Sequence, residues 1–276
     1  DNIAPLILDV THIPAIPRST NFVIITANVT DELPDGVQNV TLFYRNHTSQ
    51  DPPRFSSVQM FDDGNSGDGV ANDGIYGTVL SPMASGTIIE FYVQATDVNG
   101  NVRTYPAGVL EANGANNTYG TTVQSTNALF RVDDEIISNV MPSVRLVMTA
   151  TDRAQFPPSN RSSDAEFNTT MISTDGTGTE VRYNCSVRIR GAGTRGRNPP
   201  NNRLNIPNDN RWNNLKAVNI NSQFIHAALV GNVLSQQSGL PATDAHVIQY
   251  RINGVNLAPT TAPQNGTGSG AGWGTF

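Results

Sequence analysis

The sequence predicts two domains of different class: an all-β, immunoglobulin-like sandwich over residues 1–135, then an α+β domain, mainly antiparallel sheet with one main helix, over 136–276. Three observations predict this. Short β-branched and aromatic runs separated by turn residues fill the first half. After Asp133-Asp134-Glu135 the pattern changes, and a helical apolar stripe stands among fewer strands. At 276 residues the chain is long for one sandwich and long enough for two cores.

The sandwich runs are Leu6 to Val10, Phe22 to Val29, Val37 to Tyr44, Phe55 to Phe61, Ile75 to Leu80, Ile88 to Ala95 and Leu129 to Val132. Alternation is clearest from Val40 to Tyr44 and from Ile89 to Ala95, so one face of each strand is apolar and the other wet. Asn99-Gly100 between Asp97 and Val102 predicts a two-residue hairpin turn, because both residues tolerate positive φ.

The segment Asp62-Asp63-Gly64-Asn65-Ser66-Gly67-Asp68-Gly69-Val70-Ala71-Asn72-Asp73-Gly74-Ile75-Tyr76 carries four carboxylates within twelve residues. They repel unless backbone amides, water or a cation compensates. Two readings follow. Asp62, Asp63, Asn65, Asp68 and Asp73 are the candidate ligands of a Ca²⁺ ion, which takes oxygen donors of this kind. Alternatively the segment is an Asx-rich hairpin whose carboxylates cap their own backbone. The spacing fails the EF-hand template, since Gly or Ser falls at a ligand position and no Glu closes the loop. The segment resembles the "DDG…GD…A.DG.Y" stretch of immunoglobulin-like modules in large bacterial surface and secreted proteins. Phe91-Tyr92-Val93-Gln94-Ala95-Thr96-Asp97-Val98-Asn99-Gly100-Asn101 is similar to the strand and turn that follow it there. That resemblance implies a module that spaces and presents its neighbours.

In the second half, Val144 to Met148 opens the domain, and the predicted strands are Val181 to Arg190, Arg203 to Ile206, Lys216 to Ile220 and His246 to Ile252, the last followed by the turn Asn253-Gly254. Phe224 to Ser238 reads as a helix, with apolar Phe224, Ile225, Ala228, Leu229 and Val233 on one stripe and a stop at Gly239-Leu240-Pro241. Gly191-Ala192-Gly193-Thr194-Arg195-Gly196 matches G-x-G-x-x-G, but no helix follows, which excludes a dinucleotide fold. Strand, glycine loop, strand is the order in which kinases cover nucleotide phosphates. The plain alternative is a Gly- and Pro-rich hairpin.

From residue 143 onward the sequence resembles CotH-type spore-coat proteins, a kinase-like secreted family. Val187-Arg188-Ile189-Arg190-Gly191-Ala192-Gly193-Thr194-Arg195-Gly196 is similar to their "RIRGNSSRG", Asn219-Ile220-Asn221 to their "LNA", Leu240-Pro241-Ala242 to "LPA", and Tyr250-Arg251-Ile252-Asn253-Gly254 to "LYLNGEYRG". The resemblance implies a phosphate loop at Gly191, Gly193, Arg195, Gly196 and Arg197, with Arg203 as a further positioned charge. The family's phosphate-binding Lys is absent: Pro199-Pro200-Asn201-Asn202-Arg203-Leu204-Asn205-Ile206 replaces "PKKSYRLKF", and Lys216, the only lysine, comes later. No catalytic Asp pair follows within these residues, so no complete active site is expected.

Composition narrows the function classes. Charged residues are 14% of the chain, the net charge is −6, and sixteen of the 17 basic residues are Arg. That balance supplies no basic stripe, so nucleic acid is not an expected partner. No run reaches the roughly 18 to 20 apolar residues of a membrane span. The lone Cys185 excludes an internal disulfide and is expected to be a buried hydrophobe. Eight sequons, at Asn28, Asn39, Asn46, Asn116, Asn160, Asn168, Asn184 and Asn265, are candidate glycan acceptors. The start, with no signal-peptide pattern, and the glycine-rich tail before Trp273 give the expectation of a processed or trimmed chain.

His12, His47, His226 and His246 stand singly with no zinc spacing. Ser222, His226 and Asp244 could form a triad on paper, without a nucleophile elbow. Trp212 and Trp273 are candidates for stacking on sugars. The leading expectation is a structural or interaction protein of the cell surface or secreted space. Its expected partners are other surface proteins or copies of itself, and Ca²⁺ is the one candidate cofactor. The alternatives are the N-terminal portion of a secreted kinase, and a glycan-binding adhesin.

Overall fold

The computed structural model describes residues 3–32, 36–113, 118–123, 126–137, 141–196, 199–222 and 225–257. Two compact units emerge, one comprising Asp1–Glu135 with Thr149–Thr151, the other Ile136–Met148 with Asp152–Phe276.

The first unit is the sandwich. One sheet has the order β1-β2-β5, from β1 (Leu6–Ile13), β2 (Val23–Thr30) and β5 (Ile75–Leu80). The other has the order β10-β6-β3-β4, from β10 (Ala128–Arg131), β6 (Ile88–Asp97), β3 (Val37–Asn46) and β4 (Ser56–Met60), with β7 (Val102–Tyr105) also paired to β6. All pairs are antiparallel. Alternation drives the assembly: Val23, Ile25, Ala27 and Val29 on β2, and Val40, Leu42, Phe91, Val93 and Ala95 on β3 and β6, are buried. Each large apolar side chain removed from water contributes about 1.5–3 kcal/mol.

Three details depart from the sequence expectation. The β6–β7 turn is a three-residue loop, Val98-Asn99-Gly100, closed by the Gly100 N–H on Asp97 O at 3.1 Å, with positive φ at Gly100 and not at Asn99. Asp97 explains it. Its carboxylate accepts the Asn99 and Asn101 N–H groups at 2.9 and 2.7 Å and the Asn101 side-chain amide at 2.7 Å. Burial pushes the Asp97 carboxyl up, but these donors outweigh it and hold the group below the ordinary carboxylate range. Secondly, β8 (Val109–Asn113) and β9 (Thr118–Val123) form a separate antiparallel hairpin that no run of the sequence announced. Thirdly, β1 extends to Ile13 through a bulge after Leu8, with Asp9 at positive φ.

That extension places His12 in the core. It is buried, stacks on Phe130 with centroids 4.9 Å apart, and has its ring Nε2 3.1 Å from Ala15 O. Burial lowers its pKa from the ordinary 6.5 to about 4, with the Ala15 contact opposing.

The second unit is built on a seven-stranded sheet of order β15-β14-β13-β12-β11-β16-β17. Its strands are β11 (Ser143–Val147), β12 (Phe167–Asp175), β13 (Gly178–Ile189), β14 (Asn202–Asn205), β15 (Ala217–Ile220), β16 (Gln249–Ile252) and β17 (Val255–Asn256). Only β11–β16 is parallel. Leu146, Met171, Val187, Leu204, Tyr250 and Ile252 form the centre of its core, against which Trp212 and Val218 pack. The α+β expectation with a mainly antiparallel sheet holds. A short α1 (Ala150–Gln155) precedes the sheet's second strand, and α2 (Ile225–Gln237) is the main helix.

The expected stripe of the helix is packed only in part: Ile225 is buried and Leu229 half-buried, Ala228 and Val233 are exposed, as are Val230 and Leu234 off the stripe, and Phe224 lies outside the described residues. Its end is fixed locally instead. Gly239 takes φ +73, its N–H reaches Gln236 O at 3.0 Å, and the Leu240 N–H reaches Ser235 O at 2.9 Å, the paired bonds of a Schellman stop. No helix among the described residues is long and apolar enough to cross a membrane.

The His12 environment sets a pH dependence. Between about pH 6.5 and 4 the unfolded chain takes up a proton that the folded chain refuses. The stabilisation is therefore complete above that window and lost as pH falls through it, by up to about 3 kcal/mol. The melting temperature of His12→Gln, followed across the same window, should fall less steeply than that of the parent chain.

Candidate functional site

The Asp62–Tyr76 segment joins β4 to β5. Its base is closed by the reciprocal pair Phe61 N–H to Gly77 O at 2.9 Å and Gly77 N–H to Phe61 O at 2.8 Å. Asp62 accepts the Asp73 and Gly74 amides at 3.2 and 2.9 Å, spanning the neck. Asp63 accepts the Asn65 and Ser66 amides at 2.8 and 2.9 Å and the Ser66 hydroxyl at 3.3 Å. The Asn65 amide, foremost, and the Ser66 donors hold the Asp63 carboxyl below its ordinary range. Asp68, buried, accepts Gly64 N–H at 2.7 Å and Ser66 N–H at 3.0 Å, and Asp73 accepts Ile75 N–H at 2.9 Å. Asn65 donates its side-chain amide to Asp63 O at 2.9 Å.

Every carboxylate of the segment thus caps local backbone. Among the described residues no group of three or more His, Cys, Asp or Glu side chains is arranged to hold a metal ion. The repulsion of four charges is offset here by amide dipoles.

Two glycines let the segment fold onto the β1-β2-β5 sheet. A Cβ on Gly77 would lie 2.6 Å from Ser66 O and 2.8 Å from Asp68 N. One on Gly67, already at φ +83, would lie 2.5 Å from Ile24 Cγ2. The loop backbone therefore rests on β5 and β2 at distances only glycine permits.

The glycine loop connects β13 to β14 and is closed by Arg190 N–H on Asn201 O at 2.8 Å. Gly191 has φ +109, whereas a Cβ on Gly193 or Gly196 would meet open space. Arg195 is committed: Nε donates to Gly191 O at 2.5 Å, Nη1 to Ser163 O and Arg161 O at 3.1 and 3.3 Å, and Nη2 to Asp164 Oδ1 at 2.5 Å. Asp164 also takes Arg188 Nη1 at 3.1 Å, and the Arg195 guanidinium, foremost, holds its carboxyl low. Arg203 sits on β14 beside Arg188 and donates to Asn205 Oδ1 at 2.9 Å. Arg197 lies outside the described residues. Lys216 is exposed just before β15.

The other candidates are placed as follows. Ser222 is buried, and its hydroxyl lies 2.7 Å from Pro199 O, to which it donates. Asp244 and His246 pair with each other at 3.1 Å, both exposed. The third member of the expected triad, the His226 side chain, lies outside what is described. Trp212 is half-buried and packs against the second core, and Trp273 lies outside the described residues. Cys185 is buried, and burial pushes its thiol up to about 12, an inert side chain.

One polar cluster has no sequence signal. Glu90 on β6 is 4% exposed, and its carboxylate accepts from Arg45 Nε at 2.7 Å and Asn127 Nδ2 at 2.5 Å, with His47 Nδ1 against the same oxygen as Arg45. Beside it, Arg45 lies 4.3 Å over the Phe55 ring, and Phe43 stacks on Tyr92 with centroids 4.8 Å apart.

The family model of the conditioned medium factor second immunoglobulin-like domain matches residues 50–105. That stretch runs from ahead of β4 to the end of β7 and contains both the acidic loop and the Asp97 turn. The first unit is thus an immunoglobulin-like module. No curated protein matches the chain. Among solved structures, the chain is similar to Astrotactin-2, described as a conserved vertebrate-specific and perforin-like membrane protein involved in neuronal development, at 18% identity and a TM-score of 0.27. The similarity covers 37% of this chain and 20% of that one, so the chain spans about a fifth of that relative. The family match lies within the first unit, and the CotH-type resemblance of the second rests on the residues quoted for it.

Two expected outcomes follow. Gly77→Ala should cost about 1–3 kcal/mol, the range for forcing atoms into a packed site, read as a lowered denaturant midpoint. Asp68→Ala, which takes from the Gly64 and Ser66 amides their buried acceptor, should lower the midpoint in the same direction by about 1 kcal/mol, and millimolar Ca²⁺ should leave the melting temperature of the parent chain unchanged. A calcium-dependent rise that Asp68→Ala abolishes would instead assign the loop to the cation.

Proposed function

We propose that the chain is a non-catalytic structural or interaction protein of the cell surface or secreted space. In this reading the immunoglobulin-like module spaces and presents a CotH-like second domain to other surface proteins or to further copies of the chain. The observation that carries it is the commitment of Arg195. Arg195, the charge of the glycine loop that lies among the described residues, is bonded to three backbone carbonyls and to Asp164. Binding a phosphate there would cost those bonds and leave Asp164 facing the incoming anion.

The match to a domain of a conditioned medium factor supports placement outside the cell. A low density of charge, with Asn and Thr providing solubility, points the same way. Glycan binding is the less favoured reading, because Trp212 is spent on packing.

Isothermal titration of the chain with ATP and Mg²⁺ should give no binding heat. Saturable binding that is lost in Arg195→Ala would overturn the non-catalytic reading in favour of a kinase fragment.

A further inference from the structure

Six of the eight sequons lie among the described residues, and five of these belong to strands: Asn28 to β2, Asn39 and Asn46 to β3, Asn168 to β12 and Asn184 to β13. Their middle residues Val29, Val40, His47, Thr169 and Cys185 are all buried. A transferase must seat the tripeptide in its own groove to reach the Asn amide. Each of these five would first have to leave its ladder and expose a core residue. Asn39 Nδ2 is moreover bonded to Thr41 Oγ1 at 3.1 Å, and Asn46 precedes His47, which is held on Glu90.

Asn160-Arg161-Ser162 differs in belonging to no strand; the exposure of its ends and its Asx turn it shares with Asn46, whose Oδ1 accepts the Thr48 N–H at 2.9 Å. It stands in the loop between α1 and β12, with Asn160 and Ser162 exposed. Asn160 Oδ1 accepts the Ser162 N–H at 3.1 Å and its main-chain oxygen accepts the Ser163 N–H at 3.0 Å. This fixes the amide plane by its oxygen and leaves Nδ2 without a hydrogen-bond partner among the described residues. Its middle residue Arg161 is half-buried and belongs to no strand, so no ladder has to open for the tripeptide to be read.

We propose that, of the sequons among the described residues, Asn160 is the N-glycan acceptor of the folded chain. In the transfer, Nδ2 forms a bond to the anomeric carbon of a diphosphate-activated sugar. The bond from that carbon to the diphosphate oxygen breaks, the diphosphate leaves with the electron pair, and Nδ2 gives up one proton. Because Arg195 Nη1 donates to Arg161 O at 3.3 Å, the glycan would stand beside the glycine loop.

The test uses the purified folded chain, a soluble transferase that recognises Asn-x-Ser/Thr, and a nucleotide-diphosphate hexose, with peptide mass spectrometry as the readout. Synthetic peptides spanning each sequon, treated in parallel, show that the enzyme accepts all of them. The expected result is one hexose on Asn160, none on the five strand sequons of the folded chain, and loss of the modification in Ser162→Ala. Hexose on a strand sequon to the same extent as on Asn160, or an unmodified Asn160 when its peptide is modified, would overturn the proposal.

Discussion

The sandwich turns on the compensation of Glu90. This carboxylate lies on the outer side of β6, the strand that pairs with β3, β7 and β10, and it is almost without solvent. Burial raises its pKa, but Arg45, Asn127 and His47 hold the net shift downward, so it stays ionised in place. Arg45 comes from β3, His47 from the residue after that strand, and Asn127 from the residue before β10. One side chain therefore ties three consecutive positions of the sheet together. Deleting a donor leaves a buried charge unpaired, a loss far larger than the net gain of forming such a pair.

The same solution recurs wherever this sparsely charged chain places an acid. Asp97 builds a turn, Asp62 and Asp68 build a loop, and Asp164 anchors Arg195. A charge that organises the backbone around it has its amide partners built into the same stretch of chain. An acidic segment is therefore informative about function only after its amides have been counted.

Much of the sandwich was legible because period-two alternation is a strong signal when one face must be dry; Val23 to Val29 and Ile88 to Asp97 show it plainly. The acidic loop was legible as a turn-forming segment for the same chemical reason that it was ambiguous as a metal site, since Asx side chains accept from amides and cations alike. What stayed hidden was non-local. β12 is an interior strand of its sheet, yet Asn168, Thr169, Thr170, Ser173 and Thr174 make it read as polar; Thr169 is buried with its hydroxyl donating to Val147 O at 2.9 Å. The engagement of Arg195 depends on Ser163 and Asp164, some thirty residues earlier, and no local motif encodes that meeting.

A β-sandwich must also avoid pairing its sheet edges with the wrong neighbour. Here the free edges of the two sheets, β4 and β5, are joined by the Phe61–Gly77 bridge, and the four-carboxylate loop springs from that bridge. On the opposite side Arg103 of β7 donates to Ala4 O, just ahead of β1, at 3.3 Å. The glycine at position 77 is what allows the loop backbone to lie over the joined edge. The acidic segment thus places negative charge beside the joined edges of the two sheets, where like charge disfavours the approach of another acidic strand. Such a module can be set in series with others while its contacts are confined to its faces and loops.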